Sequence, residues 1–230
     1  MLRTWRTRAS QHILGGSCKL PSLMVAIMAV LIGLVSPVKS AQPVAVLVGG
    51  AVVTGTVLVG GATFRHWPIA SLPEPEALVG RTTPFWNVIV TRSFQLTPRE
   101  SFLAESRIRP LFLTVAGHAP PSFPAEIEVY PGDDIPVPWI LETLSRRGIR
   151  NLLIEAGGDL LFQFLAADAI DDLYVTLCPL LIGGSQTASL VDGSGFSLAT
   201  MRRLRLQQVE QIGDELYLHY QLPRSPQAAE

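Results

Sequence analysis

Apolar and polar positions change their spacing several times along this chain of 230 residues. The runs "WNVIVT" (86–91), "PLFLTV" (110–115) and "EIEVY" (126–130) are rich in β-branched and aromatic residues, and Pro, Ser and Gly bound them. They predict short strands, the third half-buried because its apolar positions alternate. The proline-rich stretches "SLPEPEALVGRTTP" and "GHAPPSFPAE" between them predict loops. "VPWILETLSRRGI" then shifts to a helical period. Ile140, Leu141 and Leu144 share one face, two arginines fall in the last turn, and Gly148 stands just past the end. "NLLIEAGG" is apolar on both faces, which predicts a strand central in a covered sheet.

"DLLFQFLAAD" returns to helical spacing, and "LYVTLCPLLIGG" reads as a long apolar strand with Cys178 buried in it. "RLRLQQVEQIGDELYLHYQL" alternates on both sides of Gly213–Asp214, a hairpin signal. Its second strand would carry Leu216, Leu218 and Tyr220 on one face and Tyr217 and His219 on the other. Strand–helix–strand units followed by alternating strands predict an α/β fold. The sheet would be mixed and mostly parallel, with helices on both faces and an antiparallel C-terminal hairpin.

Composition narrows the choice. With 48% hydrophobic and 16% charged residues the chain can bury one sizeable core, and it is too short for two full domains. A net charge of −1, without basic clusters, argues against nucleic acid as a partner. Two cysteines, and histidines at 12, 66, 118 and 219, show no metal-ligand spacing, so no structural metal is expected.

The amino terminus differs from the rest. Residues 20–35, "LPSLMVAIMAVLIGLV", carry no charge; Arg3, Arg6, Arg8 and Lys19 precede them, and "VKSA" follows. This is the plan of a secretory signal, short for a membrane span, though a signal anchor fits as well. The expected division is a leader over 1–43, a domain over 44–222 and a disordered tail over 223–230. "AVLVGG" and "TVLVGG" recur eleven residues apart (45–50 and 56–61), each a short strand meeting a glycine turn.

Chemistry concentrates at 151–165, "NLLIEAGGDLLFQFL". A strand that ends in Glu155, a glycine pair and a helix start can make an anion site, because the first helical amides lack acceptors. Gly157 and Gly158 would let a phosphate approach the backbone, whereas Asp159 would repel it unless it points outward. A phosphate or dinucleotide turn and a plain strand–helix turn fit this stretch equally well.

Residues 141–184, "LETLSRRGIRNLLIEAGGDLLFQFLAADAIDDLYVTLCPLLIGG", closely resemble the reductase domain of riboflavin biosynthesis, which shares the dihydrofolate-reductase-like fold. The shared pattern is a helix, a strand ending in Glu-Gly/Ala-Gly, a second helix, and a strand leading to Pro and Gly-Gly. Asp172 takes the place of a family glutamate, and "GDELYLHY" resembles the closing strand. The resemblance runs over about residues 57–221 and implies a three-layer α/β/α fold. It also implies NADPH as cofactor and reduction of 5-amino-6-(5-phosphoribosylamino)uracil to the ribitylamino compound. By position, Thr63, Gly157, Gly158, Asp159, Leu160 and Leu161 would bind NADPH and Glu155 would lie at the substrate; Arg65 and His66, in a stretch that departs from the family, are either cations that take the ribose 5-phosphate or part of an exposed loop. No catalytic acid or base is assigned.

The chain departs from the family after Thr63, where "FRHWPIA" replaces an acidic stretch, and at its first strand, where the leader stands. A complete site therefore requires residues 44–59 to supply the missing central strands beside "NLLIEAGG". The family implies a homodimer. A cytoplasmic enzyme is expected if the leader is an artefact, and a membrane-anchored or exported chain otherwise. The alternative function is a tethered, non-catalytic relative with the same fold.

Overall fold

A computed structural model describes residues 32–33, 56–61, 85–93, 108–115, 125–181 and 189–223. In chain order its elements are β1 (Ile32–Gly33), β2 (Thr56–Gly60), β3 (Phe85–Val90), β4 (Ile108–Val115), β5 (Glu126–Tyr130), α1 (Val137–Arg146), β6 (Leu153–Glu155), α2 (Gly158–Ala166), β7 (Asp172–Leu177), β8 (Arg205–Ile212) and β9 (Glu215–Gln221). Five strands pair in parallel in the order β5-β4-β3-β2-β6, and four pair antiparallel in the order β1-β7-β9-β8.

The expected strands at 86–91, 110–115 and 126–130 are β3, β4 and β5. Of the strands sought in residues 44–59, β2, drawn from "TVLVG", lies beside "NLLIEAGG", with Val57, Leu58 and Val59 opposite Leu153, Ile154 and Glu155. Residues 44–55 lie outside the described residues. β2, β3 and β4 are buried nearly throughout, and Leu58, Val88, Ile89, Leu111, Phe112 and Leu113 are each 0% exposed. Apolar side chains on alternate faces of a strand both find cover only when each sheet face is covered, which is why these strands read as continuous apolar runs.

α1 begins with Pro138 in its first turn, where a missing amide costs nothing. It ends as its sequence predicts: Gly148 adopts φ 74°, its amide donates to Ser145 O at 2.9 Å, and the Ile149 amide donates to Leu144 O at 3.2 Å. The buried face carries Val137, Ile140, Thr143 and Leu144, so Leu141 stands beside that face rather than on it. Arg147 ties the end of α1 to β5 through Glu128, and its Nη1 also donates to Thr143 O at 3.1 Å.

Three expectations change. β6 ends the five-strand order instead of sitting inside it, yet Leu153 and Ile154 are buried, and the backbone of β1 runs close to β6. The long strand at 173–184 stops at Leu177, because Pro179 lacks an amide and bends the residue before it out of the ladder. Cys178 is consequently half-buried in a turn, where the Leu180 amide donates to Cys178 O at 2.8 Å. The expected C-terminal hairpin is β8–β9; Gly213 has φ 62°, the sign a two-residue turn of this kind demands at its first central position. It is part of a larger antiparallel unit, because β9 also pairs with β7.

β1 belongs to the stretch read as a leader, yet Ile32 and Gly33 pair with Tyr174 and Leu173. Cleavage after the leader would remove that strand. Among the described residues no helix is long and apolar enough to cross a membrane.

On β7 and β9, His219 Nε2 lies 2.6 Å from Asp172 Oδ1, and the Tyr174 ring stacks on His219 with centroids 4.1 Å apart. Burial, and secondarily the Asp172 charge, push the Tyr174 phenol up to about 12. The unfolded chain releases this proton near the ordinary value of 10.0, before the folded chain does. The contribution to stability is therefore complete below pH 10 and disappears as pH rises toward 12. Alkaline unfolding monitored by circular dichroism should show this decline in the wild type and lose that component in Tyr174→Phe.

Candidate functional site

Because β2 to β6 run parallel, their carboxyl ends Gly60, Val90, Val115, Tyr130 and Glu155 lie along one edge. Open α/β sheets take ligands there, since the loops that follow the strands diverge and leave a crevice. The edge is tightly built between β2 and β3. A Cβ on Gly61 would come 2.7 Å from Thr91 Oγ1 and 2.9 Å from Thr91 Cβ, so glycine lets the two strand ends close. Thr91 is buried, its amide donates to Leu113 O at 3.0 Å, and its hydroxyl donates to Ser93 O at 2.5 Å. The Ser93 amide donates back to Thr91 Oγ1 at 3.2 Å. Arg92, held between them, extends outward and lies 3.7 Å from Asp134 in the loop after β5.

The β6–α2 turn is the other half of the edge. Glu155 is half-buried at the end of β6, with Val59 of β2 opposite it. Gly157 is the N-cap of α2, extended at φ −70° and ψ 169°, and a Cβ there would meet nothing within 4 Å. The amides of Gly158, Asp159 and Leu160 open the helix, where no intrahelical acceptor exists. The Leu161 amide donates to Gly157 O at 3.1 Å, and its side chain is fully buried with Phe164. Leu160 is half-buried, and Asp159 is exposed in the first turn.

The two glycines thus have different physical reasons. At Gly157 there is open space over a helix N-terminus, which suits an anionic group. At Gly158 a Cβ would fall 2.6 Å from both the backbone nitrogen and Cγ of Asp192, so glycine admits the 189–193 segment against the helix. Ser189 Oγ donates to Asp192 Oδ1 at 2.5 Å, and the Phe162 and Phe196 rings pack with centroids 5.1 Å apart, which holds that segment on α2. A dinucleotide phosphate fits the Gly157 side of the turn, because the Gly158 side is filled by protein.

Six of the residues expected to bind ligand, Glu155, Gly157, Gly158, Asp159, Leu160 and Leu161, form this one turn. Thr63 and Arg65 lie outside the described residues. Sequence reasoning did not single out Thr91, Arg92, Ser93, Asp134 or Asp192. The signal for the first three was the polar run "TRS" directly after an apolar strand; Asp134 and Asp192 join only through tertiary packing. The asymmetry of the glycines has a measurable consequence. Gly157→Asp should leave thermal stability unchanged or slightly raised, since Asp is a preferred N-cap. Gly158→Ala should cost about 1–3 kcal/mol in denaturant unfolding, because packed backbone must move.

The RibD C-terminal domain family matches residues 40–218. A 2,5-diamino-6-ribosylamino-4(3H)-pyrimidinone 5′-phosphate reductase of Archaeoglobus fulgidus is 29% identical over 90 residues, covering 39% of this chain and 39% of the relative. Its counterpart from Methanothermobacter thermautotrophicus is 30% identical over 118 residues, covering 48% of this chain and 55% of the relative. The riboflavin biosynthesis protein RibD of Bacillus amyloliquefaciens is 34% identical over 87 residues, covering 37% of this chain and 24% of that protein. The chain thus spans between 24% and 55% of the length of these curated relatives. Among solved structures, a pyrimidine reductase-like protein from Corynebacterium diphtheriae superposes with a TM-score of 0.62 at 18% identity, covering 94% of this chain and 99% of that one. The Thermotoga maritima diaminohydroxyphosphoribosylaminopyrimidine deaminase/5-amino-6-(5-phosphoribosylamino)uracil reductase gives a TM-score of 0.57 at 19% identity, covering 75% of this chain and 46% of that one. At such identities the likeness is one of fold, and it agrees with the mostly parallel sheet and antiparallel C-terminal strands described above. With more than half of its length matched, the chain belongs to the RibD C-terminal domain family.

Proposed function

We propose that this chain is an NADPH-dependent reductase acting on a phosphoribosylamino-pyrimidine, converting 5-amino-6-(5-phosphoribosylamino)uracil to its ribitylamino product. The observation that carries the reading is the strand–glycine–helix turn, with Glu155 beside it, inside the region that matches the family. The names of the relatives favour it over a non-catalytic protein of the same fold. The reductase domain takes in residues 44–222, and it works in the cytoplasm, where NADPH and this substrate are found together.

When bound, the nicotinamide supplies the hydride that reduces the sugar carbon. The protein has to orient donor and acceptor carbons and exclude water. The open N-cap at Gly157 and the amides of Gly158, Asp159 and Leu160 hold the dinucleotide phosphate, with Leu161 fixing the turn from the core side and Thr63 as a further cofactor contact. Glu155 accepts hydrogen bonds from the sugar or pyrimidine, and Arg65 takes the ribose 5-phosphate. The archaeal relatives are named for a diaminopyrimidinone phosphate, so that compound is the natural competitor substrate in an assay.

The test is a fluorescence titration of NADPH into purified wild type and Gly157→Asp. Binding in the micromolar range should vanish in the variant, whose carboxylate occupies the phosphate position. Glu155→Gln should keep NADPH affinity and lose about ten- to hundredfold in kcat/KM for the pyrimidine. No NADPH binding at millimolar concentration, with a folded protein, would sink the reading.

A homodimer also belongs to this proposal. β8 is the outermost strand of the antiparallel sheet and exposes Leu206 and Val209, 53% and 49% accessible. Nearby, Leu177, Pro179, Leu180, Leu181 and Leu216 line an apolar cleft of about 310 Å³. An uncovered edge strand with apolar side chains pairs readily with another copy. Sedimentation of the wild type should give a dimer and Val209→Lys a monomer; a monomeric wild type at tens of micromolar would overturn it.

A further inference from the structure

We propose that residues 189–202 form a strap along α2 whose carboxylate, Asp192, lowers the affinity of the Gly157 turn for the cofactor's phosphates; this rests on the reductase reading above. The strap meets α2 at three places. At the amino end Asp192 packs on Gly158, a contact that leaves no room for a Cβ. Further along, the Phe162 and Phe196 rings pack with centroids 5.1 Å apart. Gly193 lets the strap pass this ring: its φ is 81°, and a Cβ there would fall 2.5 Å from Phe162 Cδ1. At the carboxyl end Arg202 Nη1 lies 2.9 Å from Asp168 Oδ1, and Nη2 donates to Ala166 O at 3.5 Å. The same guanidinium sits 5.8 Å from the centre of the Phe196 ring.

The charges of the strap match what α2 lacks. The helix has no side-chain hydrogen bond at its N-cap and no basic residue in its last turn. A carboxylate against the first turn and a guanidinium against the last offset the helix dipole from outside. This stabilises α2, and it also leaves the amino end partly neutralised before any ligand arrives.

The carboxylate is close enough to matter. A Cβ on Gly158 would overlap Asp192 Oδ2, which places that oxygen within about 4 Å of the Gly158 Cα. Phosphates seated on the first-turn amides stand within roughly 10 Å of it, about one Debye length at 0.1 M salt. Asp159 is negative too, but it is exposed, and water screens it. Asp192 is half-buried, and Ser189 Oγ donates to its Oδ1 at 2.5 Å, so its charge stays in one place. Among the described residues no arginine or lysine pairs with it. Arg202 stands at the other end of a nine-residue helix, about 13 Å away.

The experiment measures NADPH affinity by fluorescence titration, and thermal unfolding, for wild type, Asp192→Asn, Asp192→Ser and Asp214→Asn. The last removes one negative charge from the exposed β8–β9 turn. Both Asp192 variants should bind NADPH about three- to tenfold more tightly at low salt, and the gain should largely disappear at about 0.5 M salt. Their thermal midpoints should fall by a few degrees, because the helix end loses its external charge. Asp214→Asn should match wild type in affinity. A purely structural clamp would make affinity and stability fall together. That result, unchanged affinity in both Asp192 variants, or the same gain in Asp214→Asn would overturn the inference with the reductase reading left standing. Failure of folded wild type to bind NADPH would remove the reductase reading itself, and this inference with it.

Discussion

The parallel insertion of β2 between β3 and β6 is the constraint on which the other features depend. Five residues, Thr56 to Gly60, supply the ladder partners of both neighbours. Without them β6 would have no strand to join it to the parallel sheet, and Glu155 and Gly157 would have no fixed relation to Thr91 and Arg92. The strand is short, and four of its five residues are buried. Its backbone polar groups are therefore satisfied by sheet pairing or not at all, which makes the register stringent. Gly61 extends the same logic past the strand end, since only a residue without a side chain allows Thr91 to close against it.

At the β6–α2 turn the chain reconciles two demands. The helix N-terminus is left open, and the helix is also clamped to the domain. Gly157 serves the first and Gly158 the second, with Asp192 and the Phe162–Phe196 contact completing the clamp. The result is an open helix N-terminus bordered by carboxylates. Such an edge favours an anion only where amides or a cation face it, and this restricts which parts of a dinucleotide can lie where.

The antiparallel half is organised by different forces. β7 and β9 are joined by side-chain pairs across the ladder, including Asp172–His219 and the stacked Tyr174 ring, while Glu215 accepts from the Tyr217 hydroxyl at 2.5 Å. β8, by contrast, is exposed along most of its length. A strand that buries so little of its own side-chain surface is held mainly by its ladder with β9.

Much of this was legible in the chain itself. The strands at 86–91, 110–115 and 126–130, the helix ending at Gly148 and the Gly213–Asp214 hairpin follow from local period and turn chemistry, which short-range sterics and burial determine. The Glu155–Gly157–Gly158 turn was legible for the same reason. Other features were not, because they depend on which distant segments meet. That β6 ends its sheet, that β7 stops before Pro179, and that Gly158 exists to admit Asp192 all require the fold. So does the gathering of Arg92 and Asp134 at the edge that carries Gly157. Sequence determined the elements and the chemistry each could carry, because those depend on neighbours a few residues away. Only the tertiary structure decided which of them share an edge, because strand order is set by burial and pairing between residues as far apart as Val59 and Glu155.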